Sequence, residues 1–336
     1  MAKKKGKTLT TVGVVGSGSF ATAIVKMLLE NAKLVHWCVR NEFVKGALEL
    51  RGHNPNYLTA VAFDVKKLKI TTDINKLVSA CDIVVLATPS IYLADAIEKM
   101  TCDYEGKLFV SAIKGIVPKH NDVVAHYLRD VFKIGFRSQA VIAGPCHAEE
   151  VAMERLSYLT IAAAEKEHID ALRELFTSDY IKVSCSKDIL GNEYSAILKN
   201  IYAIAAGIAS GLGYGDNFNA VLVSNAIREM ELFLDAVYPE HREVNDSAYL
   251  GDLLVTAYSL FSRNRNLGNL IGKGYTVKSA VQSMSMVAEG YYATRGIYEI
   301  AYEKKLKTPI INTVFSILYE GKDAEKQFKK LTEKLT

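Results

Sequence analysis

A chain of 336 residues exceeds what one hydrophobic core usually holds, so two domains are expected. With 49% hydrophobic and 23% charged residues, it has ample apolar material for those cores and reads as a soluble globular protein. A net charge of only +4, with no basic stripe interleaved with aromatics, argues against nucleic acid as a partner, and the small positive excess suits an anionic small molecule.

The basic segment Ala2–Lys7 ahead of an uncharged stretch imitates the front of a secretory signal. Threonines, serines and glycines break that stretch, so a solvated tail on a cytoplasmic protein is expected instead. No run reaches the roughly 18 apolar residues of a membrane span, so no membrane insertion is expected. Five cysteines (Cys38, Cys81, Cys102, Cys146, Cys185) are scattered and lack a Cys-x-x-Cys pair. They read as reduced thiols, most of them small core residues, and speak against a disulfide framework or a zinc site; no metal is expected.

The first structured stretch, Thr11 to Ala21, organises the rest. A β-branched run leads into Gly16-Ser17-Gly18-Ser19-Phe20-Ala21, and an apolar helical pattern (Ala23, Ile24, Met27, Leu28) follows at once. Strand, Gly-x-Gly-x-x-Ala and helix in that order form the setting of a dinucleotide fingerprint. Gly16 permits the tight turn, Gly18 lets a pyrophosphate approach the backbone, and Ala21 lets the helix pack closely. The plainer alternative is a strand-to-helix turn that merely uses glycine.

Next comes an apolar strand, Leu34–Val39, ending in Arg40-Asn41 where an NAD-only site usually carries an acid. Arg40 there suits a 2′-phosphate or an adenine face, so NAD or NADP use is open; a solvated strand-end arginine is the alternative. Arg51–Leu58 is turn-rich and reads as a loop. Strands follow at Lys69–Thr71 and Asp82–Ala87, the latter closed by Thr88-Pro89-Ser90, and another at Lys107–Ile113 runs into Lys114-Gly115. Lys114 at a strand end faces the crevice where open α/β sheets bind ligands. Ala140–Ala143 leads into Gly144-Pro145-Cys146-His147-Ala148, in which His147 lacks a partner at metal or triad spacing and reads as packing rather than catalysis. Tyr158–Ala163 and Tyr180–Ser184 flank a helix beginning near Glu165. Strands alternating with helices predict a Rossmann-type doubly wound parallel sheet for residues 1–189.

From about Leu190 helical periodicity takes over, which predicts an all-helical C-terminal domain over 190–336. Residues 196–209 are apolar nearly all round except Lys199-Asn200, so this helix is buried. A lysine there is paired, neutralised or used. Gly207, Gly211, Gly213 and Gly215 mark the helix end and a turn. Helices are expected at Asn219–Ala236, Asp246–Ser259, Val277–Met286, Glu289–Lys304 and Ile311–Leu318. Between them Ser262-Arg263-Asn264-Arg265 reads as a polar, doubly basic loop, whose arginine fork suits a phosphate or carboxylate.

The Gly16–Ala21 loop, Thr88-Pro89-Ser90, Lys114-Gly115-Ile116, Gly144-Pro145, Leu198-Lys199-Asn200, Gly251-Asp252-Leu253 and Ser262–Arg265 occur in one characteristic order. In that order and spacing the chain resembles bacterial NAD(P)-dependent glycerol-3-phosphate dehydrogenases over nearly its whole length. The resemblance implies a Rossmann domain followed by a helical domain, a homodimer, and a phosphorylated triose as substrate. It implies Lys199 as the general acid–base, and Lys114, Gly144, Cys146, Asp252, Ser262, Arg263 and Asn264 around the substrate. For the cofactor it implies Gly16, Gly18, Ser19, Phe20, Arg40, Lys114, Ala148, Arg263, Val287 and Glu289. Ala21 replaces the third glycine, which the motif tolerates. Cys146 stands where serine or threonine is usual, and His147 where the neighbour is commonly apolar or aromatic. Two other readings stay open: a related hydroxy-acid or sugar-acid dehydrogenase, and a non-catalytic dinucleotide-binding redox sensor.

Overall fold

The structure, a computed structural model, describes residues 10–336; the basic segment Ala2–Lys7 lies outside them. Eight strands form one sheet: β1 (Val12–Val15), β2 (Val35–Cys38), β3 (Leu68–Thr71), β4 (Ile83–Leu86), β5 (Leu108–Ser111), β6 (Gln139–Ala143), β7 (Ser157–Ala163) and β8 (Ile181–Ser186). Their order is β3-β2-β1-β4-β5-β6-β7-β8. The first six are parallel, with Val14 of β1 opposite both Trp37 and Val85. Every residue of β1, β4 and β5 is buried, as expected for central strands covered on both faces.

Seven helices accompany the sheet: α1 (Ser19–Leu29), α2 (Glu42–Arg51), α3 (Ile74–Ala80), α4 (Leu93–Ile97), α5 (Val124–Phe132), α6 (Ala148–Ala152) and α7 (Lys166–Phe176). Ile24, Leu28, Trp37, Leu172 and Phe176 fill one apolar layer, while Leu77, Leu93, Phe109 and Leu128 fill another. The switch point of this order lies between β1 and β4, where the sheet is extended in both directions and a crevice opens at the carboxyl ends.

One expectation needs correction. The sheet is not parallel throughout: β7 pairs antiparallel with β6, and β8 runs parallel to β7. The link between β6 and β7 contains only the five-residue α6. Such a helix rises about 7.5 Å, far short of the roughly 17 Å of a five-residue strand. The chain therefore stays at the carboxyl edge and descends again as β7.

After β8 come α8 (Ile189–Gly211), α9 (Asp216–Val237), α10 (Asp252–Tyr258), α11 (Arg263–Gly272), α12 (Val277–Ser283), α13 (Glu289–Glu303), α14 (Pro309–Tyr319) and α15 (Ala324–Thr332). Helix α8 is their axis and is buried from Ile189 to Ala209. Asp188 caps its start by accepting from the Gly191 N–H at 2.8 Å. Its N-terminal residues Ile189 and Tyr194 share a core with Val141 and Ala162 of the sheet, and its later residues share that core with the surrounding helices. Glu229 of α9 is buried and accepts from the N–H groups of Ile310 (2.8 Å) and Ile311 (2.9 Å), which caps α14 from outside its own sequence.

Three local readings also change. Gly207 lies inside α8 rather than at its end, whereas Gly211 is the last residue of that helix, as expected. A Cβ on Gly207 would overlap the Arg265 carbonyl oxygen, and one on Gly268 would overlap that of Ile204. Helices α8 and α11 thus meet backbone to backbone. The expected 262–265 loop is the cap and first turn of α11, with Ser262 Oγ accepting from the Arg265 N–H at 3.3 Å. The expected helix Asp246–Ser259 is divided into a π-helical turn, Ser247–Gly251, and α10. Among the described residues no helix is long and apolar enough to cross a membrane.

Candidate active site

The loop after β1 is rigid from below and open above. Gly16 has φ +125°, and a Cβ there would press on the Ala87 carbonyl at 2.5 Å. The Trp37 indole N–H donates to Gly16 O at 2.6 Å. Asn54, fully buried in the stretch expected to be a loop, donates to Ser17 O (3.0 Å) and Thr22 Oγ1 (2.8 Å). Gly18 sits at the N-cap of α1 with no side chain capping the helix, and a Cβ there would meet nothing within 4 Å. The first N–H groups of α1, at Ser19 and Phe20, are therefore disposed toward an anion.

Alongside runs a cleft of about 830 Å³, with Gly16, Gly18, Ser19, Arg40, Thr88, Arg263 and Val287 on its walls. Arg40 is exposed at the end of β2. Thr88 Oγ1 is buried and has no hydrogen-bond partner. A glycine cradle, an uncapped helix start, an orphaned hydroxyl and a rim arginine fit a nicotinamide dinucleotide. Arg40 is placed to meet a 2′-phosphate or an adenine ring.

The cleft joins a second cavity between sheet and helices, and here the charged side chains converge. Lys199, on buried α8, is only 4% exposed. Its Nζ donates to Asp252 Oδ1 at 2.5 Å, while Lys114 Nζ donates to Asp252 Oδ2 at 3.3 Å and to Gly144 O at 3.1 Å. Asp252 opens α10 directly after the π-helical turn. Tyr249 of that turn donates to Asp188 Oδ2 at 2.9 Å, as does Arg242 Nε. The Asp188 cap thus ties the start of the Lys199 helix to the segment carrying Asp252. Asn200 donates to the Lys114 carbonyl at 2.8 Å and fixes the strand end on which that lysine stands.

Burial lowers Lys199 to about 7 against the opposing pull of Asp252, and the Lys114 ammonium pushes in the same direction as burial. Burial alone would raise Asp252, but the two lysines hold its carboxyl below the usual range. The result is one carboxylate shared by two amines, one of them poised to gain or lose a proton near neutrality.

The other expected residues surround this trio. Phe20, Cys146, Ala148, Ser262, Arg263, Asn264, Val287 and Glu289 all line the cavity. Lys114 Nζ lies 5.6 Å from the Phe20 ring centroid. Gly144, with φ +97°, supplies its carbonyl to Lys114. Arg263 donates to Val287 O at 3.4 Å and forms no ion pair among the described residues. Asn264 Oδ1 accepts from the Gly290 N–H at 2.9 Å, which leaves its amide NH₂ for the cavity. Glu289 accepts from both the N–H (2.9 Å) and Oγ (2.5 Å) of Ser90, clasping α13 to the end of β4. Cys146 is buried and its thiol is pushed up to about 12, so it is a neutral wall and not a nucleophile.

Sequence reasoning passed over Asn54, Ser90, Asn200 and Thr88 as site residues. The signal for Asn200 was present, since it shares the break in an apolar helix with Lys199. Nothing local announces Asn54, whose importance lies in two bonds to residues more than thirty positions away.

A doubly wound sheet with a glycine loop, followed by helices that present a shared lysine–carboxylate cluster to the same crevice, defines a nicotinamide-dependent oxidoreductase. Comparison makes the assignment particular. The family models described as NAD-dependent glycerol-3-phosphate dehydrogenase N-terminus and C-terminus match residues 11–169 and 188–329. The glycerol-3-phosphate dehydrogenase [NAD(P)+] of Chlorobium limicola is 33% identical over 318 residues, covering 94% of this chain and 95% of that one. A crystal structure of glycerol-3-phosphate dehydrogenase from Coxiella burnetii matches with a TM-score of 0.90 at 26% identity, over 97% of this chain and all of that one. Ketopantoate reductase from Ralstonia eutropha, at a TM-score of 0.59 and 15% identity over 94% of this chain and 99% of that one, shares the fold alone. The chain belongs to the NAD-dependent glycerol-3-phosphate dehydrogenase family and is an NAD(P)-dependent enzyme.

Proposed function

We propose that this enzyme interconverts dihydroxyacetone phosphate and sn-glycerol 3-phosphate, with Lys199 as general acid–base, and so feeds glycerophospholipid synthesis. The observation that carries the reading is the buried Asp252 carboxylate held between Lys199 at 2.5 Å and Lys114 at 3.3 Å, in a cavity that also holds Arg263. The bound dinucleotide supplies or accepts the hydride. Everything else falls to the chain's own groups.

In the reducing direction the Lys199 ammonium donates its proton to the oxygen that becomes the hydroxyl. In the reverse direction the neutral amine removes it. Asp252 keeps that amine oriented, and the Lys114 charge favours the negative oxygen while holding Lys199 acidic. Arg263 offers a planar fork to the phosphate, aided by the Asn264 amide and the Ser262 hydroxyl. Gripping an anion remote from the reacting carbon turns binding energy into orientation of the carbonyl. Cys146 lines the same cavity, and Lys114 is anchored on the Gly144 carbonyl. Family membership favours this substrate over a hydroxy acid or sugar acid.

Mixing the enzyme with dihydroxyacetone phosphate and NADH or NADPH is expected to consume reduced cofactor. No consumption with either would overturn the reading, and the faster cofactor reveals what Arg40 selects. Lys199→Ala is expected to lower turnover by about 10²–10⁴ without loss of cofactor affinity. A homodimer in the cytoplasm completes the proposal; light scattering of the purified enzyme tests the dimer.

A further inference from the structure

His147 stands in the wall of the catalytic cavity, and no other part of the mechanism uses it. It occupies the N-cap position of α6, yet its side chain caps nothing. Its Nε2 is buried without a hydrogen-bond partner, and neither ring nitrogen bonds to any described residue. A residue serving only to fill this space would be better apolar, because a buried nitrogen with no partner is destabilising. The Phe261 ring lies beside it, 6.3 Å between centroids and tilted by 56°.

Burial, together with the Lys199 and Lys114 ammoniums, pushes the ring down to about 4, so it is neutral at physiological pH. A neutral imidazole is a poor counter-ion for phosphate but offers one donor and one acceptor. Its surroundings place it along the substrate. The cavity wall it belongs to also carries Lys199, Lys114, Asp252 and Arg263. With phosphate at Arg263 and carbonyl at Lys199, the group beyond the carbonyl is the free hydroxymethyl.

We propose that His147 is a specificity-determining residue that hydrogen-bonds the free hydroxyl of the triose phosphate. The proposal rests on the reaction assigned above. It explains how a small cavity tells a hydroxymethyl from a methyl: a site built to bond a hydroxyl rejects the analogue that lacks it.

The test uses two substrates and the whole enzyme. Dihydroxyacetone phosphate carries the hydroxyl, and acetol phosphate has a methyl in its place. His147→Phe keeps the ring's bulk and removes both nitrogens. It is expected to lower kcat/KM for dihydroxyacetone phosphate about 10–100-fold while changing that for acetol phosphate less than about threefold. His147→Gln, which retains a donor and an acceptor, is expected to recover part of the difference. Competitive inhibition by inorganic phosphate is expected to stay unchanged in both variants.

Equal losses on both substrates, or weakened phosphate inhibition, would overturn the proposal and place the ring at the phosphate or in a structural role. No loss on either would make it a filler. Thermal melting of each variant shows whether it is folded; should His147→Phe not fold, the substrate ratio in His147→Gln and His147→Asn decides instead. Failure of the parent enzyme to reduce dihydroxyacetone phosphate would overturn the reaction and this inference together, whereas failure of the ratio alone overturns only the inference.

Discussion

Replacing Asp252 by Asn keeps the shape of the shared acid and removes its charge. Lys199 then loses a carboxylate 2.5 Å away while Lys114 stays beside it. Two unit charges about 4 Å apart interact by about 4 kcal/mol at an effective dielectric of about 20. Half of that, taken up as weaker proton affinity, shifts Lys199 down about 1.5 pH units. Starting from about 7, this cuts the ammonium form at about pH 7.5 some 20–30-fold, and the full interaction would cut it about 10³-fold. In the proposed mechanism reduction of dihydroxyacetone phosphate consumes the protonated amine, so its rate falls as pH rises through the Lys199 value. Oxidation of glycerol 3-phosphate needs the free amine and rises through the same value. Asp252→Asn is therefore expected to move both limbs toward acid and to slow reduction far more than oxidation near neutrality. The assay is turnover in each direction against pH at saturating cofactor. A limb that stays in place, or moves toward alkali, would refute the assignment of Lys199 as the titrating group.

Arg263→Ala is expected to raise KM for the phosphorylated substrate about 10–100-fold, with a smaller change in kcat, as fits loss of charged hydrogen bonds; an unmoved KM would place the phosphate elsewhere. Gly268→Ala forces a methyl onto the Ile204 carbonyl, so the melting temperature is expected to fall by a few degrees for about 1–3 kcal/mol of overpacking. An unchanged melt would show that α8 and α11 separate freely. Lys199 binds its proton less tightly folded than unfolded, so its contribution to stability is complete above the ordinary lysine value near 10.4 and is lost as pH falls toward about 7. Lys199→Met is expected to flatten that part of the stability–pH curve, as denaturant titrations across the window would reveal.

The strands were legible because parallel strands buried on both faces are written as short apolar runs, as in Ile83–Leu86. The direction of β7 was not, since nothing in Ser157–Ala163 records how far α6 travels. Helix α11 escaped because Arg263-Asn264-Arg265-Asn266 and two glycines weaken its intrinsic propensity; it forms by lying against α8. Helix α5 had no counterpart among the expected elements. Lys199 was the most readable site residue, a charge interrupting an apolar helix. The pairing with Asp252 depends on a π-helical turn and on Asp188, Arg242 and Tyr249 meeting from three separate segments. Such a meeting has no periodicity to betray it.

Because the helix that bears Lys199 and the helix that bears Arg263 meet main chain to main chain, no side chain separates them there. Side-chain repacking elsewhere leaves the spacing of these two helices untouched, so the molecule carries a fixed ruler along one side of the cavity. A lineage drifting toward bulkier substrates would have to remodel another part of the lining, such as the turn at Cys146, His147 and Ala148.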